Sequence, residues 1–186
     1  LHCISDFERI SDHALNIMQI AARMDEGKRK FSDRALEELV VFTKAVQEIV
    51  TTSVQVFQNE DLELARTVEP LEEVIDGLHM EVKRRHIRRL RKGKCTIELG
   101  FDLSDIGTDY ERISDHCSNI AVCLLQVTED GFDTHEYLEM IKKEKNQEFE
   151  HAVEMYEMKY RLPKMKKSEE GEEDRIEYSF AAEHPV

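Results

Sequence analysis

The sequence predicts an all-α protein, an up-and-down antiparallel bundle of four to five long helices. Three observations lead there. Apolar residues recur at three- and four-residue spacing over long segments, the period of one buried helix face. Seven glycines and three prolines are all that interrupt 186 residues. And one segment occurs twice, since residues 4–17 (ISDFERISDHALNI) return as residues 107–120 (GTDYERISDHCSNI). Internal repetition fixes architecture before local detail does.

The first helix spans about residues 2–24, with Cys3, Phe7, Ile10, Ala14, Ile17, Ala21 and Met24 as its apolar stripe. Gly27 suits the left-handed position past its end. Ser32 can cap the second helix, with Phe31 and Leu36 placed as a hydrophobic staple. Leu36, Leu39, Phe42, Val46, Ile49, Val50 and Phe57 carry that helix to about residue 58. Asp61 caps a third, which runs to about residue 92 through Leu71, Ile75, Leu78 and Val82. Pro70 lies inside it and predicts a kink or a break.

Gly93 permits a turn into an irregular link around Cys95–Gly100. The fourth helix repeats the first stripe as Ile106, Tyr110, Ile113, Cys117, Ile120, Leu124 and Val127. Asp130-Gly131 ends it, and Thr134 caps a fifth. Leu138, Ile141, Phe149, Val153, Tyr156 and Tyr160 continue that one to Pro163. The bundle therefore occupies residues 1–163. Residues 164–186 are charged, short on core residues and predicted to be disordered.

The net charge of −14 argues against broad nucleic-acid affinity, which needs cationic surface, and suits a protein that collects cations. Cys3, Cys95, Cys117 and Cys123 form no CxxC pair, which predicts reduced thiols in a cytosolic compartment. No apolar run reaches the ~18–20 residues that cross a bilayer. The chain opens on Leu1 inside a helical pattern, as a fragment or the soluble end of something longer would. No glycine-rich phosphate loop and no nucleophile–base spacing point to an enzyme. Lys83 to Lys94 form a basic run. Its plain reading is a helix C-terminus opposing the macrodipole. Its functional reading is contact of Arg84, Arg85, Arg88 and Arg89 with anionic lipid or a membrane partner.

The carboxylates carry the chemistry. Glu8 and Asp12, four apart, stack on the side opposite Phe7, Ile10 and Ala14, about 5–6 Å between Cβ atoms. Glu111 and Asp115 repeat this on the fourth helix, and Glu72 and Asp76 share the spacing on the third. One such pair would read as a solvated face. Like charges at this spacing are mildly destabilising, so two copies within an otherwise copied motif point to a bound cation, whether iron, zinc, magnesium, manganese or calcium. Arg9, His13 and Asn16, with their counterparts Arg112, His116 and Asn119, lie on the flank between acids and core. There the histidines can donate to a carbonyl or an acid, and the arginines can pair with acids across the bundle. A carboxylate-bridged metalloenzyme is a further reading, but such sites place Glu-x-x-His inside the bundle.

Paired ERISDHxxNI segments with VxxxEEVIDGL between them look like the PhoU-type helical bundle. The stretch KRRHIRRLRKGKCTIELGFDLSDIGTDYERISDHCSNIA, residues 83–121, resembles the C-terminal cytoplasmic PhoU-like region of bacterial sodium/phosphate cotransporters. FDTHEYL, with a helix ending in KYRLP, is similar to the tail of that group. The resemblance implies tandem three-helix bundles with metal clusters on E/DxxxD motifs, here Glu8, Asp12, Glu72, Asp76, Glu111 and Asp115. It implies a regulatory part in phosphate homeostasis, at the inner face of the plasma membrane, with the membrane-embedded half of the same transporter as partner. A free-standing PhoU-type protein that modulates a phosphate ABC transporter and a sensor kinase is the alternative. A homo-oligomer is compatible with either. The family's first bundle needs helices ahead of Leu1, which predicts an incomplete site at Glu8 and Asp12.

Overall fold

In the computed structural model, residues 2–128 and 147–164 are described. They form helices α1 (His2–Glu26), α2 (Asp33–Asn59), α3 (Leu62–Ala65), α4 (Val68–Arg91), α5 (Ile97–Thr128) and α6 (Gln147–Lys159), with no strand among the described residues. The fold is the all-α bundle that the periodicity predicts. At 32 residues α5 is about 48 Å long, and α1, α2 and α4 all pack on it. Helices α2, α4 and α5 thus make a three-helix core, with α1 on the outer flank of α5 and α6 along α4. Phe42, Ile49, Leu71, Ile75, Cys117 and Ile120 are fully buried between them.

Local chemistry sets the boundaries, with several departures from expectation. Helix α1 closes with Arg29 N bonding Met24 O at 2.8 Å and Lys28 N bonding Asp25 O at 2.9 Å. The left-handed residue is Lys28, φ 51°, rather than Gly27, because the helix runs past its apolar stripe. Ser32 caps α2 and Asp61 caps α3 through their side chains. Leu36 is 45% exposed, so the staple does not form as expected, and Phe31 packs on the core instead. The break near Pro70 falls earlier, at Arg66 and Thr67. The proline ring collides with the carbonyl four residues back, which is Arg66, and Pro70 is tolerated in the first turn of α4. Gly93, φ 63°, turns the chain after α4. The link expected at Cys95–Gly100 reaches only Thr96, whose hydroxyl accepts from Leu99 N at 3.3 Å as α5 begins. The signals at Asp130, Gly131, Thr134, Leu138 and Ile141, and the tail beyond Lys164, lie outside the described residues.

Helix α1 is also rotated from the expected stripe. Ile20 and Met24 are buried, Asp6, Phe7, Ile10, His13 and Ile17 are half-buried, and Ala14 and Ala21 are exposed. Its buried face is centred nearer Asp6 and His13, which find partners on α5. Ile4, Leu15 and Met18 remain exposed on the other side. All four cysteines are free thiols, and burial pushes Cys117 up to about 12.

The basic run divides. Glu38 of α2 is 3% exposed and lies 3.4 Å from Arg85 and 2.8 Å from Arg89. Arg85 also donates to Glu81 and to the Pro163 carbonyl, each at 2.7 Å. Arg85 and Arg89 therefore do not face a membrane as expected, because a buried carboxylate requires their charge. Arg84 pairs with Glu81 at 2.6 Å but stays exposed, and Arg88 is half-buried. Glu38→Ala is expected to cost about 3–5 kcal/mol in urea denaturation, since it strands buried arginine charge. Glu37→Ala, at an exposed neighbour, should change stability by under about 0.5 kcal/mol.

Candidate metal centre

Helices α4 and α5 bring Glu72, Asp76 and Asp115 together, with carboxylate oxygens all within 4.8 Å of one another. Glu72 is buried, Asp115 half-buried and Asp76 exposed, so the cluster opens to solvent on one side. Helical spacing sets Glu72 away from the Leu71, Ile75 and Leu78 stripe. It is buried nonetheless because the first turns of α4 are enclosed by both α2 and α5. Glu111, expected as a ligand, lies one turn before Asp115 and does not join the three within that distance. Burial raises the Asp115 carboxyl above its usual pKa, and Glu111 and Glu69 push the same way, against Arg112 and His116. Glu69 is itself buried and accepts from the Ser118 hydroxyl. Arg112 pairs on its own helix with Glu111 at 3.6 Å and Asp115 at 3.7 Å, rather than across the bundle, and remains 56% exposed. Nearby, burial holds the His79 imidazole below its usual pKa, against the pull of Glu111 and Asp76.

The first copy of the motif is placed differently. Glu8, Arg9 and Asp12 are exposed on α1, and no third acid, histidine or cysteine among the described residues completes a donor group with them. Its histidine does find a role. His13 Nδ1 donates to Asp109 at 2.8 Å, and His116 Nδ1 donates to Asp6 at 2.9 Å. The two imidazoles stack at 5.9 Å. Asn16 adds a bond to Asp109 at 3.4 Å, and both Asn16 and Asn119 are exposed. Each copy thus supplies the acid for the other's histidine, across antiparallel helices. Asp6 and Asp109 had no assigned role in the sequence. The signal was there in Asp and His seven apart, two turns along one face, copied in both segments.

An all-oxygen cluster of this kind is a donor set for a hard cation. Residues 41–124 match the PhoU domain. That stretch holds Glu72, Asp76, Glu111 and Asp115. Over 134 residues, 72% of its length, the chain is also 30% identical to the Phosphate-specific transport system accessory protein PhoU homolog 1 of Thermotoga maritima. The chain spans 56% of the length of that relative, to which it is homologous over the aligned region. No solved structure matches. No described helix is long and apolar enough to cross a membrane.

Two outcomes test the geometry. The folded protein holds the Asp115 proton more tightly than the unfolded chain, whose pKa is near 3.8. Without added cation, this group's contribution to stability is therefore lost as pH rises from that value through the raised one. Asp115→Asn should remove that component from a plot of melting temperature against pH. Separately, Asp109→Asn should cost about 1–3 kcal/mol. A double-mutant cycle with His13→Ala should show a coupling of about 0.5 kcal/mol or more.

Proposed function

We propose that the chain is a PhoU-type regulatory domain of phosphate transport that binds metal ions at Glu72, Asp76 and Asp115, with Glu111 one turn before Asp115. The observation that carries this reading is the convergence of three carboxylates inside the stretch that matches the PhoU domain. A cation there would favour the ionised form of Asp115, which burial first and the neighbouring acids second disfavour. Oxygen donors suit magnesium, manganese, calcium or ferric iron better than zinc. Glu8 and Asp12 form a second, incomplete set. The role is regulatory, not catalytic.

In the finer form of this proposal, the domain works at the cytoplasmic face of a sodium-dependent phosphate transporter, with that transporter's membrane half as its partner. The resemblance of residues 83–121 supports it. In this form Arg84, which stays exposed beside Glu81, contacts anionic lipid. A free-standing accessory protein is the second reading, favoured by the printed name of the Thermotoga relative. The reading frame ahead of Leu1 separates the two, since hydrophobic spans there fit the transporter and a further soluble bundle fits the accessory protein.

The metal is tested on chelator-treated protein by thermal shift and metal analysis. Magnesium, manganese, calcium or ferric iron should raise the melting temperature. At 100 times its Kd a ligand adds about 2.7 kcal/mol. Asp76→Asn and Asp115→Asn should abolish the shift. No bound metal and no shift would reject the site.

A further inference from the structure

Two of the four cysteines face each other across α1 and α5. Cys3 lies in the first turn of α1 and Cys123 in the last turns of α5, and both are half-buried. The register of the helices brings them together. His13 meets Asp109 and Asp6 meets His116, so Cys3 is level with Asn119, one turn from Cys123. Side chains lean toward the N-terminus of their own helix. In this antiparallel pair, Cys3 and Cys123 therefore lean toward each other across that turn, and their thiols hydrogen-bond. Cys123 also continues the row of Asp109 and His116 at seven-residue spacing, which is the face that meets α1.

The other two thiols are placed differently. Cys117 is fully buried in the core. Cys95 lies in the link ahead of α5, its sulfur 3.7 Å from His86 Nε2, and about 40 Å along α5 from Cys123. We propose that Cys3 and Cys123 form a redox modification site, at which a low-molecular-weight disulfide such as oxidised glutathione converts the pair to a disulfide that fixes α1 on α5.

Burial first, and then Cys123 and Asp6, push the Cys3 thiol up to about 11. Cys123 is therefore the first nucleophile. Its thiolate attacks one sulfur of the small disulfide, forming a mixed disulfide and releasing one small thiolate, which takes up the Cys123 proton. Cys3 then attacks Sγ of Cys123, and the second small thiolate leaves with the Cys3 proton. Two electrons pass from the protein to the small disulfide, and two small thiols depart. The link matters because α1 lies on the outer flank of α5, held by its apolar face and by the two Asp–His pairs. It closes the chain from Cys3 to Cys123 into one loop that contains α2, α3 and α4, and long loops gain most from closure.

The test treats the full chain, 21.8 kDa, with oxidised glutathione, beside a sample kept in dithiothreitol. A peptide map should join Cys3 to Cys123, with the loss of two hydrogens that a disulfide brings. The melting temperature should rise by several degrees and fall back in dithiothreitol. Cys3→Ser should stop the reaction at a glutathione adduct on Cys123, and Cys95→Ser should leave the internal link unchanged. No joined Cys3–Cys123 peptide after oxidation, or a link through Cys95 between two molecules in its place, overturns the proposal. An internal link that leaves the melting temperature where it was overturns the fixing of α1. A Cys3→Ser chain with no adduct on Cys123 overturns the order of attack.

Discussion

The structure depends on the enclosure of α5. Helices α1 to α4 all pack on it, so the polar side chains on its enclosed faces must find partners on the elements around it. Asp102 is met by Arg29, Asp109 by His13, Tyr110 by Thr43, and Ser118 by Glu69. His13, Thr43 and Glu69 fix the rotation of α1, α2 and α4, and Arg29 ties the link between α1 and α2 to α5. That is why α1 turns away from its most apolar stripe. The same enclosure forces Asp115 into the company of Glu72 and Asp76, where stacked acids would otherwise have been spread over open surface.

Helix α4 divides these demands along its length. Its first half carries Glu69, Glu72, Glu73 and Asp76, and its second half carries the run from Lys83 to Arg91. Both halves suit the helix macrodipole, acids near the N-terminus and bases near the C-terminus. Packing then draws opposite consequences from the two halves. The acids meet further acids on α5, so their charge accumulates. The bases meet one buried acid, Glu38, so part of their charge is absorbed.

The long helices were legible because apolar spacing over 25 or more residues outweighs local irregularity, as in α2 with its Ser32 cap. What escaped the sequence depended on partners. Nothing in the periodicity of α1 shows that Ala14 and Ala21 would be exposed while His13 turned inward, because the reason lies at Asp109. Glu38 reads as an ordinary surface acid until Arg85 and Arg89 are seen beside it. Helix starts were misjudged where a single residue decides, as with Thr96 and Pro70. Within the acid cluster, helical spacing identified which pairs stack. It could not show that Glu72 would be buried beside Asp115 of α5.

The exchange of partners between the two ERISDH segments also bears on how the pair responds to dilution. Two separate helices that traded Asp for His in this way would do so as a symmetric complex, and would fall apart as their concentration dropped. Here both are carried on one chain, so each histidine sees its acid at a fixed local concentration. The clasp between α1 and α5 is therefore as complete in a single molecule as in a crowded solution. Each half of the repeat serves as a permanently tethered ligand for the other.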